Sequence, residues 1–262
     1  IALKQNNIDF LKERLLDISN PYSENYGKYY DIETIQKIVS PDKKENEGLI
    51  NWLENNNITI LNNYGDSLHC QGEINTINNL FKTKIGIKDK KLHLSNIDYI
   101  IPKKFQNNIV FIEGLVKNFY NNKLPKAKYK NNGNVDDNYS GREVINRLYN
   151  ISLNLSYANV SVGSIEYEGE SGFLQGDLLI SENLNNINNN SVDNIVGPDK
   201  PFDTETQLDI QMMGINADNA TIWFWDDKNW LYSLASSMAN SINTPDIISM
   251  SWGWSESNQC TI

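Results

Sequence analysis

The chain has 262 residues, which is enough for one large domain or two ordinary ones, and its 39% hydrophobic content allows packed cores. The residues before Pro125 include 16 basic and 15 acidic side chains, and those after it include 7 basic and 18 acidic ones. The two parts therefore carry net charges of +1 and −11. This acidic balance, without a basic cluster, argues against nucleic acid or an anionic membrane as a partner. With no run of 18 apolar residues, we expect no transmembrane helix.

Predicted helices and strands alternate over the first 116 residues. Apolar side chains at helical spacing predict helices over 3–18, 32–39, 48–55 and 74–81. Short runs rich in strand-forming residues predict strands over 58–61 and 67–71. Alternating elements of this size predict a compact α/β sandwich.

Residues 117–138 differ from what precedes and follows them. They are rich in Lys and Asn, contain Pro125 and lack hydrophobic periodicity. We interpret them as a linker.

The remaining residues are predicted to form a parallel sheet. Apolar runs predict strands over 160–167, 220–225 and 246–252 and helices over 203–214 and 230–242. Strands separated by helices in this way favour parallel pairing, and we expect the last strand to be buried. We also expect Asp177 to cap a helix within 173–180 and the Asn-rich tract 183–194 to be an inserted surface loop.

Two carboxylates lie four residues apart in the predicted helix over 203–214. Leu208, Met212 and Ile215 follow helical spacing there, and on such a helix Glu205 and Asp209 point to the same side. Two like charges held this close cost helix stability when both are ionised. The pair therefore indicates either a solvated face or a functional site.

The chemistry open to this second part is limited by its histidines. No His follows His93, which excludes a Ser-His-Asp triad there, so a general base would have to be a carboxylate. A free Glu has a pKa of about 4.3, so such a base works best in acid. A second carboxylate one turn away can share a proton with it.

Three segments follow motifs in chain order. Residues 19–29 read S-N-P-Y-S-E-N-Y-G-K-Y, residues 140–149 read S-G-R-E-V-I-N-R-L-Y, and residues 205–209 read E-T-Q-L-D. They resemble three motifs of the sedolisin family of serine-carboxyl peptidases, and within it of the tripeptidyl-peptidases. The first is similar to the D/N-P-x-S-x-x-Y-G-K-Y/F prosegment signature, and the second to the P-x-x-I-R-x-x-Y start of the mature enzyme. The third is similar to the family's E-x-x-x-D helix. Tyr139-Ser140 depart from the pattern, which has Thr-Pro there.

The resemblance implies an organisation and a site. Residues 1–116 would be a small α/β-sandwich activation prodomain, 117–138 a linker with the processing site, and 139–262 the N-terminal part of a subtilisin-like parallel-sheet α/β domain. Glu205 would be the general base and Asp209 its partner. The backbone of Ser251, Trp252 and Gly253 would pair with a peptide substrate as an added strand.

Other family features are not found in this chain. The nucleophile motif G-T-S-x-S and the oxyanion motif S-G-D-x-G do not occur before Ile262. The complete family domain is expected to bind calcium beside the nucleophile, so the calcium site is not in this chain. We therefore expect a serine-type peptidase zymogen shown as a truncated piece that is inactive alone. Its expected partners are a peptide or protein substrate and the intramolecular prodomain, with no nucleic acid and no membrane.

The start of the chain and its sequons bear on localisation. The chain opens on Ile1, with no initiator Met or signal peptide, from which we expect a processed or partial segment. The N-x-S/T sequons favour a lysosomal or secreted glycoprotein, although 41 Asn residues also create sequons by composition. The sequons begin at Asn57, Asn138, Asn150, Asn154, Asn159, Asn189 and Asn219.

The cysteine and histidine residues do not by themselves indicate a fold or a site. Cys70 and Cys260 are too few for a disulfide framework, and whether they pair stays open. With His69 and His93 as the chain's histidines, a metal site built from these side chains is not supported.

Two other classes of function compete with a peptidase. A catalytically dead pseudoprotease could act as a binding or inhibitory module. A glycosidase fits poorly, because its carboxylates flank a bond at about 5 to 9 Å, whereas residues four apart on a helix lie on one side. A carbohydrate-binding face of tryptophans is also disfavoured, since most of them alternate with apolar neighbours. Only Trp252 and Trp254 are expected to line a cleft.

Overall fold

The computed structural model describes residues 1–88, 91–95, 98–116, 141–152, 155–167, 171–187, 191–197 and 200–252. They form two compact units, the first built chiefly from Ile1–Asn118 and the second from most of the remaining chain. The predicted linker at 117–138 lies outside the described residues, so the predicted domain boundaries stay predictions. In the part of the chain that is described, no helix is both long and apolar enough to cross a membrane.

The first unit mixes helices with short antiparallel strand pairs. Its helices are α1 (Ile8–Ser19), α2 (Ile32–Val39), α3 (Lys43–Asn55), α4 (Ile74–Phe81) and a short 3-10 helix, Lys103–Phe105. Its strands are β1 (Ala2–Leu3), β2 (Thr59–Asn63), β3 (Leu68–Gln71), β4 (Gly86–Lys88), β5 (Lys91–His93) and β6 (Ile109–Phe111). The pairs are β1 with β6, β2 with β3 and β4 with β5.

The core of the first unit lies between α3, α4 and the strands. Leu49 and Leu53 of α3 are fully buried. The Trp52 ring lies 6.2 Å from the Phe81 ring and 4.9 Å from the Phe105 ring, measured between centroids. The α/β character of this unit is therefore confirmed.

The first predicted helix was wrong at its start. Leu3 belongs to β1, where it pairs with Ile109, so α1 begins only at Ile8. Periodicity could not show this, because an apolar residue that faces a core in a two-residue strand looks like the first residue of a helical stripe. The bounds of α2 and α4 match the prediction.

The second unit is built on a parallel sheet, as predicted. Its strands are β7 (Ser161–Tyr167), β8 (Val192–Val196), β9 (Thr221–Asp227) and β10 (Ile247–Ser249), in the order β10-β7-β9-β8 with all pairs parallel. Its helices are α5 (Arg142–Tyr149), α6 (Gln175–Leu184) and α7 (Thr204–Asn216). Helix α8 (Leu231–Ala239) begins in this unit, and its residues from Ala235 onward belong to the first.

Packing of α6 against α7 covers one part of this sheet. Leu178 of α6 and Ile210 of α7 are fully buried and form a cluster with Phe224 of β9. Gly214 permits the close approach, because a Cβ there would lie 2.8 Å from Leu178 Cδ1 and 3.0 Å from Glu182 Oε1. Packing against α6 and the sheet therefore holds α7 in position.

Three sequence predictions for this unit were wrong in detail. Asp177 lies in the first turn of α6, and the N-cap residue is Leu174. The Asn-rich tract is not wholly a loop, because α6 runs to Leu184 and β8 begins at Val192. Strand β10 is exposed along its length, since it has only β7 beside it among the described residues.

Candidate active site

The carboxyl ends of the parallel strands define one edge of the sheet, and polar residues collect there. Glu166, near the end of β7, stands in register with Asp226 of β9. Ser251 and Trp252 follow β10, which runs in the same direction. In open parallel sheets, this edge is where ligands and substrates bind.

Helix α7 starts with a well-formed cap. The Asp203 carboxylate accepts hydrogen bonds from the Glu205 and Thr206 backbone N–H groups, at 3.0 and 3.2 Å, and from the Thr206 hydroxyl. The Asp203 N–H donates to the Gly172 carbonyl at 3.0 Å. A Cβ on Gly172 would lie 2.2 Å from the Lys200 carbonyl oxygen, so only glycine lets these segments pass. The first turn of α7 is thereby held in place.

The buried side of α7 is partly polar, which corrects the predicted apolar stripe. Leu208 is exposed, whereas Thr206 and Gln207 are buried. The Gln207 side chain accepts a hydrogen bond from the Leu174 backbone N–H at 2.7 Å. A side chain of α7 thus provides the acceptor for a backbone N–H at the start of α6. Glu205 and Asp209 are both half-buried at the flank of the helix.

The structure brings two of the predicted site segments together. Burial raises the pKa of Asp209, a hydrogen bond from Ser251 lowers it, and the charge of Asp203 raises it. Asp209 on α7 and Ser251 after β10 were predicted separately, as a catalytic and a substrate-binding residue. Gly253, the last predicted substrate-binding residue, lies outside the described residues.

A third carboxyl group, Glu166, was missed by sequence reasoning. Its side chain is 3% exposed, and the Trp252 indole Nε1–H donates to Glu166 Oε2 at 2.9 Å. The available signal was a Glu at the end of the apolar run V-G-S-I-E-Y, where an ionisable group rarely occurs without a partner.

Burial raises the pKa of Glu166 to about 8; the Trp252 hydrogen bond opposes this, and the charges of Asp209, Asp203 and Glu205 add to it. Its second oxygen, Oε1, is buried and meets no hydrogen-bond donor among the described residues, and the same holds for Asp209 Oδ2. Glu166 is therefore neutral below about pH 8, and it interacts electrostatically with the carboxyl groups at the start of α7.

Aromatic rings surround the Trp252 indole. The Tyr167 and Trp230 rings lie 4.6 Å apart, and each has its centroid 5.4 Å from that of Trp252 in an edge-to-face arrangement. The Tyr167 hydroxyl donates to Met250 Sδ at 3.1 Å. Trp225 and Trp230 are buried, as expected for core tryptophans, and Trp252 is half-buried beside Glu166. Trp254 lies outside the described residues.

No cluster of His, Cys, Asp and Glu within the described ranges could hold a metal ion. The calcium expected for a complete domain of the family stays a prediction.

Comparison with known proteins gives matches to both units. Residues 1–118 match the family model of the Pro-kumamolisin activation domain. Physarolisin of Physarum polycephalum is 31% identical over 270 residues, covering 100% of this chain and 46% of that protein. Tripeptidyl-peptidase 1 of Dictyostelium discoideum is 23% identical over 312 residues, covering 98% and 51%. Tripeptidyl-peptidase SED2 of Arthroderma otae is 25% identical over 119 residues, covering 43% and 20%.

The match of the first unit to an activation domain, followed by a parallel-sheet unit, is the organisation expected of a peptidase zymogen at the level of the family. The chain is similar to sedolisin peptidases along its length, and its first unit matches the Pro-kumamolisin activation domain. It spans about half the length of the relatives that it matches from end to end.

Proposed function

We propose that this chain is the activation domain and first part of the catalytic domain of an acid-acting serine-carboxyl peptidase, of the tripeptidyl-peptidase kind. Glu205 is the general base that takes the proton of a serine nucleophile, and Asp209 orients it. The segment Ser251-Trp252-Gly253 binds the peptide substrate through its backbone. The protein acts in the lysosome or outside the cell.

One observation carries this proposal: at the carboxyl edge of the sheet, the buried carboxyl group of Glu166 on β7 interacts electrostatically with the carboxyl groups at the start of α7. Burial disfavours ionisation of Glu166 most, and the charges of Asp209, Asp203 and Glu205 disfavour it further. A solvated helix face would carry neither the burial nor the third group. Acid–base chemistry accounts for both, because it needs carboxyl groups in different protonation states at one pH.

The direction of the pKa shifts fits work in acid. Because the pKa of Asp209 is raised, Asp209 keeps its proton to a higher pH than an ordinary aspartate. A protonated Asp209 can donate a hydrogen bond and so orient a neighbouring general base, the role proposed for Glu205. Glu166 stays neutral throughout this range and adds no repelling charge.

The test uses the protein at its full natural length, activated at about pH 4 and assayed on peptides with a free amino terminus. We expect Glu205→Gln to abolish turnover while Glu143→Gln, an exposed isosteric change on α5, leaves it unchanged. Release of tripeptides would distinguish a tripeptidyl-peptidase from an endopeptidase. A correctly folded protein whose turnover is absent, or is insensitive to Glu205→Gln, contradicts the proposal and favours a binding or inhibitory role.

A further inference from the structure

Four of the sequon asparagines lie within the described residues, and all four side chains are exposed. They are Asn57, Asn150, Asn159 and Asn219. Exposure is the first requirement for an asparagine that carries a glycan in the folded protein.

Asn159 and Asn219 occupy equivalent places in the second unit. Each ends a turn two residues before a central strand, β7 for Asn159 and β9 for Asn219. The hydroxyl residues of the two sequons, Ser161 and Thr221, are the first residues of these strands and pair with each other across the sheet.

The residue between Asn and the hydroxyl residue points inward in both sequons. Val160 and Ala220 pack in the same small apolar cluster, together with Val162 and Ile222. The Thr221 N–H also donates to the Val160 carbonyl at 3.0 Å, which joins the two turns. With the middle residue fixed in the core, the preceding asparagine is held at the surface of the amino edge.

This edge lies at the far end of the sheet from the candidate active site. Strands β7 and β9 each have seven residues and run from the sequons toward Glu166 and Asp226. At roughly 3.3 Å per residue, the two edges are about 20 Å apart. A bulky sugar attached to the amino edge leaves the carboxyl edge open to a peptide.

We propose that Asn159 and Asn219 are N-glycosylation sites, which place two glycans on the amino edge of the sheet. This inference rests on the lysosomal or extracellular location in the proposed function, because the donor, an oligosaccharide carried on a lipid pyrophosphate, is met in the secretory route. The Asn side-chain nitrogen forms a bond to the anomeric carbon of the first sugar and loses one proton. The bond from that carbon to the pyrophosphate oxygen breaks, and the lipid pyrophosphate leaves with the electron pair.

The fold tolerates the product at both positions. The Asn219 side-chain N–H donates to the Ser156 hydroxyl at 3.2 Å on the exposed surface. A glycosylated amide retains one N–H, so this hydrogen bond can persist. The Ser161 hydroxyl is bound by Asp246 at 2.7 Å once the strand has formed, but the transfer takes place on the chain before it folds.

The first test is made on the protein purified from the cells that produce it. Enzymatic release of N-glycans in heavy-oxygen water marks every formerly glycosylated Asn as a labelled aspartate, which peptide mass spectrometry locates. We expect the label at both Asn159 and Asn219. An unmodified Asn at either position overturns the proposal for that position, whether or not the protein is an active peptidase.

The second test uses the full-length protein secreted by eukaryotic cells. Asn159→Gln and Asn219→Gln should each remove the mass of one glycan, whereas Thr221→Ser, which keeps the sequon, should remove none. Because the sites lie at the far edge, the Asn159→Gln and Asn219→Gln double variant should keep the kcat of the secreted enzyme. An unchanged mass in the single variants contradicts the proposal, and a lost kcat contradicts the placement of the glycans away from the site.

Discussion

Replacing Glu166 by Gln tests the electrostatics of the candidate site without needing catalysis. Glutamine has the shape of the protonated carboxyl group, and its amide oxygen can still accept the Trp252 indole hydrogen bond. It cannot ionise. The variant therefore removes the titration of this group and keeps its main contact.

The size of the effect follows from the pKa. A carboxyl whose pKa rises from 4.5 to about 8 on folding binds its proton more tightly in the folded state, so folding becomes less favourable as pH rises through this interval. At about 1.4 kcal/mol per pH unit, and with half-ionisation in one state at each limit, Glu166 lowers the free energy of unfolding by about 4 kcal/mol between pH 4.5 and pH 8. Glu166→Gln should abolish this loss. A smaller loss of the same sign should remain, because the pKa of Asp209 is also raised.

The assay is urea unfolding of the second unit at both pH values, followed by the fluorescence of its tryptophans in a Trp52→Phe background. The quantity compared is the change in unfolding free energy within each protein, so any constant cost of the buried amide cancels. Glu143→Gln, exposed on α5, is the matched control and should behave like the parent protein. If the Glu166→Gln variant loses as much stability between the two pH values as the parent, Glu166 does not titrate as argued.

Further substitutions test how α7 is held and how the two units respond to pH. Gln207→Ala should cost about 1 to 2 kcal/mol, because it leaves the Leu174 N–H without its acceptor, whereas Leu208→Ala, exposed on the same helix, should change stability by less than about 0.5 kcal/mol. Asp203→Ala should cost about 1 kcal/mol through the lost helix cap. Urea unfolding measures the stability of all three variants. Equal effects of Gln207→Ala and Leu208→Ala would contradict the polar packing of α7. Acidification should stabilise the second unit and change the stability of the first only slightly, because Glu166 and Asp209 are buried or half-buried whereas the carboxyl groups of Asp17 and Asp31 are exposed. Trp52 fluorescence read against that of the other tryptophans checks this, and equal gains in both units would refute it.

The sequence predicted the elements whose burial is continuous. Strands β7 and β9 are runs of apolar and β-branched residues covered on both faces, and such runs are visible without a structure. The edge strand β8 was hidden, because its alternating V-D-N-I-V pattern sits beside an Asn-rich tract whose composition favours a loop. Edge strands bury one face at most, and so they carry half the hydrophobic signal.

The residues of the candidate site were likewise only partly predictable from the sequence. Glu205 and Asp209 could be proposed from spacing, because both lie on one helix and their geometry is local. Glu166 could not, because its importance depends on an indole 86 residues later in the chain and on charges from α7. Contacts of this kind are set by strand order and register, which periodicity does not encode.

The carboxyl groups with shifted pKa values respond to acid in opposite senses in the two units. In the first unit, hydrogen bonds from Ser23 and Thr34 lower the pKa of Asp17 and Asp31, so their stabilisation is present above the unfolded pKa and is lost as pH falls through the folded one. In the second unit, burial raises the pKa of Glu166 and Asp209, and these groups favour folding as pH falls. Asp246, which accepts hydrogen bonds from Ser161, follows the first pattern. The carboxyl groups of Asp17, Asp31 and Asp246 are all exposed, so each contributes little to stability. The raised pKa values of Glu166 and Asp209 therefore make the second unit more stable in acid, in the pH range that suits a carboxylate base.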